Sequence, residues 1–333
     1  MLKKQAFTLL FKSASFLVVL GSSFCFISTA IAEDKNTDEM VDVKASDKSV
    51  CSRLQGESDA WYDVTHTYIS TQFCRPAVWF DSFFSTERYD EEVRAGSRVR
   101  WRHDYVNTES QGFDYVTTLT ARFKLPKAKK RINLIFEGEQ EETVEDIVPS
   151  NREEAKADLG LLYELRKSKR ANLSLRIKLS PSVTVRYRYA YPITNTFLTR
   201  FTEELFRRDS AYGHTTRIDF EKTLSKDFVL RQTNAGTRAE NIDGTNWEET
   251  LVLFQHLSDV SALSYESSAV GVTEPDNYVT NSRLGVRYRR NFFRKWLFYE
   301  LVPAVNFPRP LLTDERKQVW EFMFRLEINF INL

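Results

Sequence analysis

The sequence predicts an all-β protein, a transmembrane antiparallel β-barrel of about 14 strands preceded by a short helical segment. Three observations predict it. From Ser97 onward, apolar and polar residues alternate along one segment after another, the period of strands with two unlike faces. The chain is 28% charged with a mean hydropathy of −0.43, yet 14% aromatic, as expected when one face meets lipid and the other water. Beyond the leader, no apolar stretch approaches the roughly 20 residues that a membrane helix needs.

Residues 1–32 read as a signal peptide. Lys3, Lys4 and Lys12 make a basic start, an apolar stretch runs from Ser13 to Ile27, and Ala30-Ile31-Ala32 supplies a small-x-small cleavage site before Glu33. A lipoprotein reading of Cys25 is disfavoured, because Phe24 stands where that processing wants a small residue. Taking those three lysines from 47 Lys+Arg leaves 44 against 46 Asp+Glu, a net charge of −2 that implies no nucleic-acid partner. Cys51 and Cys74 remain, in a chain exported to an oxidising compartment, and are expected to pair.

Residues 33–58 are acidic, polar and short of large apolar groups, which predicts a flexible periplasmic lead. Over 59–96, Asp59 is a plausible N-cap, and Trp61, Val64, Tyr68, then Ala77, Phe80 and Phe84 recur near helical spacing around Pro76. Two short helices fit. They could pack at the barrel mouth or plug the lumen, and their aromatic density suits the mouth better than a polar lumen.

The barrel occupies 97–333, with strands expected at 98–106, 113–125, 131–138, 157–166, 171–179, 183–191, 197–206, 214–224, 228–238, 247–257, 261–272, 282–290, 295–305 and 318–330. In the second, Phe113, Tyr115, Thr117, Leu119, Ala121, Phe123 and Leu125 share one face while Asp114, Thr118, Thr120, Arg122 and Lys124 share the other. An even strand count brings both ends of the barrel to the periplasmic side, with 139–156, 207–213, 239–246, 273–281 and 306–317 outside and 126–130, 167–170 and 225–227 inside. Ser180-Pro181-Ser182 is unusually tight for an outer connection, which leaves a twelve-stranded closure open.

In the last strand Trp320, Phe322, Phe324, Leu326, Ile328 and Phe330 line one face, opposite Glu321, Arg325, Glu327 and Asn329. This row resembles the C-terminal β-signal by which barrel-assembly machinery recognises outer-membrane clients, although Ile331-Asn332-Leu333 follow the aromatic residue that usually ends it. With FTEELFRRDSAYGHTTRIDFEKTLS and KWLFYELVPAVNFP, the run from Phe201 to Phe330 resembles a group of uncharacterised Gram-negative outer-membrane β-barrel proteins. The resemblance implies the same barrel and the cell outer membrane, with lipid and lipopolysaccharide as surroundings, and brings no activity.

The polar faces carry Arg98, Arg100, Arg102, Arg122, Lys124, Arg176, Lys178, Arg186, Arg188, Arg287 and Arg289, candidate lumen residues whose uncompensated burial would be prohibitive. A wide, wet lumen would make them a basic wall that biases a pore toward small anionic solutes. A narrow one would pair them with inward carboxylates such as Asp114, Glu164, Asp219, Glu221, Glu300 and Glu327 and close the passage, leaving a structural or partner-binding barrel. A third reading, a rim-located lipid-modifying enzyme, has only faint echoes of a catalytic pair in His214-Thr215-Thr216 and His256-Leu257-Ser258. No metal motif and no nucleotide-binding loop occurs, so no cofactor is expected, and the acidic run Glu137, Glu139, Glu141, Glu142, Glu145, Asp146 reads as a solvated loop.

Overall fold

The computed structural model describes residues 76–84, 98–124, 132–137, 158–168, 170–180, 182–208 and 211–331. Fourteen strands follow one helix: α1 (Pro76–Phe83), β1 (Arg98–Thr108), β2 (Gly112–Lys124), β3 (Ile132–Glu137), β4 (Asp158–Lys167), β5 (Ala171–Lys178), β6 (Ser182–Thr194), β7 (Phe197–Arg208), β8 (Ala211–Thr223), β9 (Phe228–Ala239), β10 (Asn246–Ser258), β11 (Ser261–Val272), β12 (Tyr278–Phe292), β13 (Arg294–Asn306) and β14 (Val319–Ile331). Each pairs antiparallel with its sequence neighbours, and β14 pairs with β1, so the sheet closes and no edge remains. In lipid this closure is obligatory, because an open edge would leave backbone N–H and C=O groups without partners.

The twelve-stranded alternative is excluded at the join that suggested it. The β5–β6 turn is as tight as expected, and Asp158 at the start of β4 anchors it by accepting from the Ser180 backbone N–H at 3.2 Å and from the Ser180 hydroxyl. Leu179 N–H also donates to the Leu159 carbonyl at 2.8 Å, so the third strand of the group supports the hairpin. The longest departure from expectation is β12. It begins at Tyr278 rather than 282, because Tyr278 and Val279 continue the ladder with Val272 and Gly271 across a bulge.

Strand parity assigns the two walls. On β1, Arg98, Arg100, Arg102, Asp104, Val106 and Thr108 are buried and alternate with residues on the outer face, where Trp101 and Tyr105 are exposed. On β14, Trp320, Phe322, Phe324, Leu326, Ile328 and Phe330 take the outer face, and Glu321, Met323, Arg325, Glu327 and Asn329 are buried. Exposed aromatics gather toward both ends of the wall, Trp296, Phe292 and Phe330 near one and Trp320, Phe113 and Tyr212 near the other, with Leu119, Leu161 and Leu251 exposed between them. A lipid-facing band flanked by aromatic girdles has this distribution.

Both ends of the barrel, together with the short β4–β5, β6–β7, β8–β9, β10–β11 and β12–β13 connections, lie at one rim; the tight β1–β2 and β5–β6 turns and the longer β9–β10, β11–β12 and β13–β14 connections lie at the other. Of the helical segment expected over 59–96, the described part is α1, opened by Pro76 at a position where a missing N–H costs nothing. The leader, the acidic lead, Cys51, Cys74 and the acidic loop 139–156 lie outside the described residues.

Candidate functional site

The inner wall across β9–β14 and β1 is layered. Nearest the rim that holds both barrel ends is an apolar layer in which α1 is seated. Phe80, Phe83 and Phe84 pack with the inward Val229, Phe254 and Ala262, and with Phe298, while Trp79 stacks on Phe83 at 4.6 Å. Asp81 ties the helix to β9 through an ion pair with Arg231 at 2.7 Å, and Arg231 is held in turn by Glu221 at 2.6 Å. The sequence favoured packing at the mouth over a place within the lumen, on the ground that a lumen is polar. Here the helix contacts inward side chains because this stretch of the lumen wall is apolar.

Above it lies a charge layer. Arg289 is 0% exposed, as is Glu300, to which it donates, and it forks onto the nearly buried Glu327 at 2.8 and 3.1 Å. Arg325 reaches Glu300 at 3.6 Å and binds Asp104 through two bonds of 2.7 and 2.8 Å. Arg287 lies between Glu300 at 3.6 Å and Glu266 at 3.0 Å, and Arg98 donates to Asn329 at 2.8 Å. One connected set of guanidiniums and carboxylates therefore crosses five strands, including the β1–β14 seam. Such pairing is the condition for burying these charges, since leaving one without its partner typically costs about 3–5 kcal/mol. Beyond it Val106, Val302 and Met323 form a second apolar patch.

The facing wall has a different balance. On the inward faces of β5, β6 and β7 stand Arg176, Lys178, Arg186, Arg188 and Arg200, against the carboxylate Glu204, which pairs with Arg186. Arg176, Arg186 and Arg200 are buried; Lys178 and Arg188 are half-buried. Arg200 stands opposite Asp219 in the β7–β8 register. Among the described inward residues of these three strands, cations outnumber carboxylates.

Of the other residues singled out from sequence, Arg122 is half-buried on β2, and the side chain of Lys124 lies outside the described residues. Asp114 is exposed near the opposite rim and Glu164 is half-buried. Sequence reading missed Asp104, Glu204, Glu266, Arg200 and Arg231 as members of the wall. Their parity within their strands is the signal that marks them.

The two histidine echoes do not assemble into a catalytic pair. His214 is exposed, and the Thr216 hydroxyl donates to Glu203 at 2.6 Å. His256 packs edge-on to Trp79 at 4.5 Å and sits 3.7 Å from Asp227, while the Ser258 hydroxyl is bonded to Ser261 at 2.7 Å. Among the described residues no cluster of three or more His, Cys, Asp or Glu side chains could hold a metal ion.

A closed antiparallel barrel with an apolar outer wall and a charged inner wall is a transmembrane β-barrel. No protein-family model matches the chain, and no curated protein matches it. Among solved structures, it is similar to the KdgM porin in complex with disordered oligogalacturonate, at 10% identity and a TM-score of 0.36 over 70% of this chain and 99% of that one. It is also similar to OpdK of Pseudomonas aeruginosa with vanillate, at 7% identity and a TM-score of 0.42 over 71% and 98% of the two chains. The CymD monoaromatic hydrocarbon channel matches at 6% identity and a TM-score of 0.45, over 76% of this chain and 92% of its own.

Proposed function

We propose that this protein is an outer-membrane channel for small anionic solutes, with its barrel ends and α1 on the periplasmic side. The observation that carries the reading is the unequal division of the inner wall. Across β11–β14 and β1 guanidiniums alternate with carboxylates, whereas the described inward residues of β5–β7 carry a surplus of positive charge, with Arg176, Lys178, Arg186, Arg188 and Arg200 against the one carboxylate Glu204. A basic lining concentrates anions in a confined aqueous path. Strand number favours such a path: barrels of about 8 strands are filled by their own side chains, while those of about 16 leave an aqueous channel. The short connections at the rim of the barrel ends fit the periplasmic side, and the outward row from Trp320 to Phe330 fits recognition by barrel-assembly machinery, with lipid and lipopolysaccharide around the finished wall.

The test is single-channel recording of the purified full chain in a planar bilayer under a KCl gradient. The reversal potential should report anion preference, and the double charge reversal Arg186→Glu/Arg188→Glu should move it toward cations. A bilayer that stays silent would favour the second reading, a closed scaffold or partner-binding barrel, for which the complete burial of Arg289 and Glu300 and the seat of α1 in the lumen speak.

A further inference from the structure

Toward the rim opposite the barrel ends, four inward residues form one cross-strand row. Thr250 on β10 stands opposite Ser268 on β11, Ser268 opposite Arg283 on β12, and Arg283 opposite Asn306 on β13. Directly opposed side chains of this kind have Cβ atoms about 5 Å apart, so the row is continuous. All four are more than nine-tenths buried, at 3%, 4%, 3% and 4% exposure in that order. The Thr250 and Ser268 hydroxyls and both polar atoms of the Asn306 amide nevertheless have no hydrogen-bond partner among the described residues, nor do Nε and Nη1 of Arg283 or Oε2 of the neighbouring Glu321.

Nearly every buried polar side-chain atom in a folded protein is satisfied by protein, water or a bound molecule, so a run of this length marks a place suited to binding a polar molecule. Its chemistry is specific. Two hydroxyls can donate or accept, the amide offers one of each, and the carboxylate oxygen accepts. No cation is spare for an anion: Arg283 is engaged by Glu321 at 3.2 Å and Glu266 at 3.7 Å, and Arg287 by Glu266 at 3.0 Å, so two guanidiniums face two carboxylates. The floor is the apolar patch of Val106, Val302 and Met323. At the rim Asn281 accepts from the Phe307 N–H at 3.2 Å, and Arg316 donates to the Phe307 and Val279 carbonyls at 3.0 and 2.9 Å, which fixes the root of the β13–β14 loop beside the row.

We infer that the row Thr250–Ser268–Arg283–Asn306 is a binding subsite for a neutral, hydroxyl-rich solute of the carbohydrate class. Vicinal hydroxyls, each able to donate and accept, meet alternating donors and acceptors without adding charge beside Glu266 and Glu321. Rejection of an analogue lacking those hydroxyls follows, because the wall groups would then stay unpaired. The inference rests on the channel reading only in that solute must enter the lumen.

Binding rather than current is therefore measured, so that a barrel that binds but does not conduct refutes the channel and leaves the subsite standing. Detergent-solubilised full-length protein is titrated calorimetrically with glucose, maltose and maltotriose, and with a short polyethylene glycol as a size control lacking vicinal hydroxyls. Saturable binding of at least one sugar, none of the glycol, and at least tenfold weakening in both Asn306→Leu and Thr250→Val/Ser268→Ala would support the subsite. Folding of each variant is checked by heat-modifiable gel mobility, and the milder pair keeps the test usable if Asn306→Leu fails to fold. No binding of any of the three sugars, equal binding of the glycol, or sugar binding untouched by the variants would overturn it.

Discussion

Replacing Arg289 with leucine asks whether the inner wall is held by its charge pairing. Arg289 is wholly buried, with Glu300 on one side and the fork of 2.8 and 3.1 Å onto Glu327 on the other. Without it, Glu327 loses both of those bonds, and Glu300 keeps Arg287 and Arg325 only at 3.6 Å. Removing one partner of a buried pair costs about 3–5 kcal/mol, because the remaining charge stays desolvated. The guanidinium also sits 4.2 Å over the Phe298 ring, a contact worth about 1 kcal/mol. At about 1.4 kcal/mol per decade, a loss of roughly 4 kcal/mol lowers the folded-to-unfolded ratio about a thousandfold. The assay is urea titration of the full chain folded into lipid vesicles, followed by tryptophan fluorescence. The triple variant Arg289→Leu/Glu300→Leu/Glu327→Leu removes all three charges together and should recover most of the loss. A single variant that loses less than about 1 kcal/mol, or a triple variant no better than the single, would refute the electrostatic account.

Three further outcomes are expected. Phe80→Ala leaves a hole among Phe84, Val229 and Phe254 and should weaken the seat of α1 by about 3–5 kcal/mol; faster hydrogen exchange of the α1 amides with unchanged exchange in the strands is the readout, and unaltered protection in α1 would contradict it. Gly271→Ala places a methyl against the Tyr278 carbonyl oxygen and 2.5 Å from the Trp247 ring, so the β11–β12 bulge must shift, at about 1–3 kcal/mol in the same urea titration. Cys51 and Cys74 are proposed to form a disulfide, so denatured, non-reduced protein should take up no maleimide; labelling at both positions would dismiss the bridge.

The barrel was largely legible because its alternation depends on nothing beyond the strand itself. Residues such as Arg98, Arg100 and Arg102 need only parity to be placed. What parity lacks is register. Asp104 and Arg325 lie 221 positions apart and meet only because β14 returns to β1, so no local pattern announces the pair. Glu266 was hidden differently, in LSYESSAVGV, where serines occupy both faces and the contrast fades. The tight join at Ser180 seemed implausible because its support, Asp158, belongs to another strand. The seat of α1 did leave a trace. Leu251, Val252, Leu253 and Phe254 form an unbroken apolar run, which in a two-faced wall means that both sides are dry. Reading only the alternating segments passed over it.

The bond between Asp104 and Arg325 joins the earliest strand of the barrel to the last one made. Until β14 arrives, Asp104 has no guanidinium from that strand and Arg289 has no Glu327, so a chain interrupted before Val319 holds mismatched charges along its open flank. Closing the ring is thus also the step that completes the charge pairing of the inner wall.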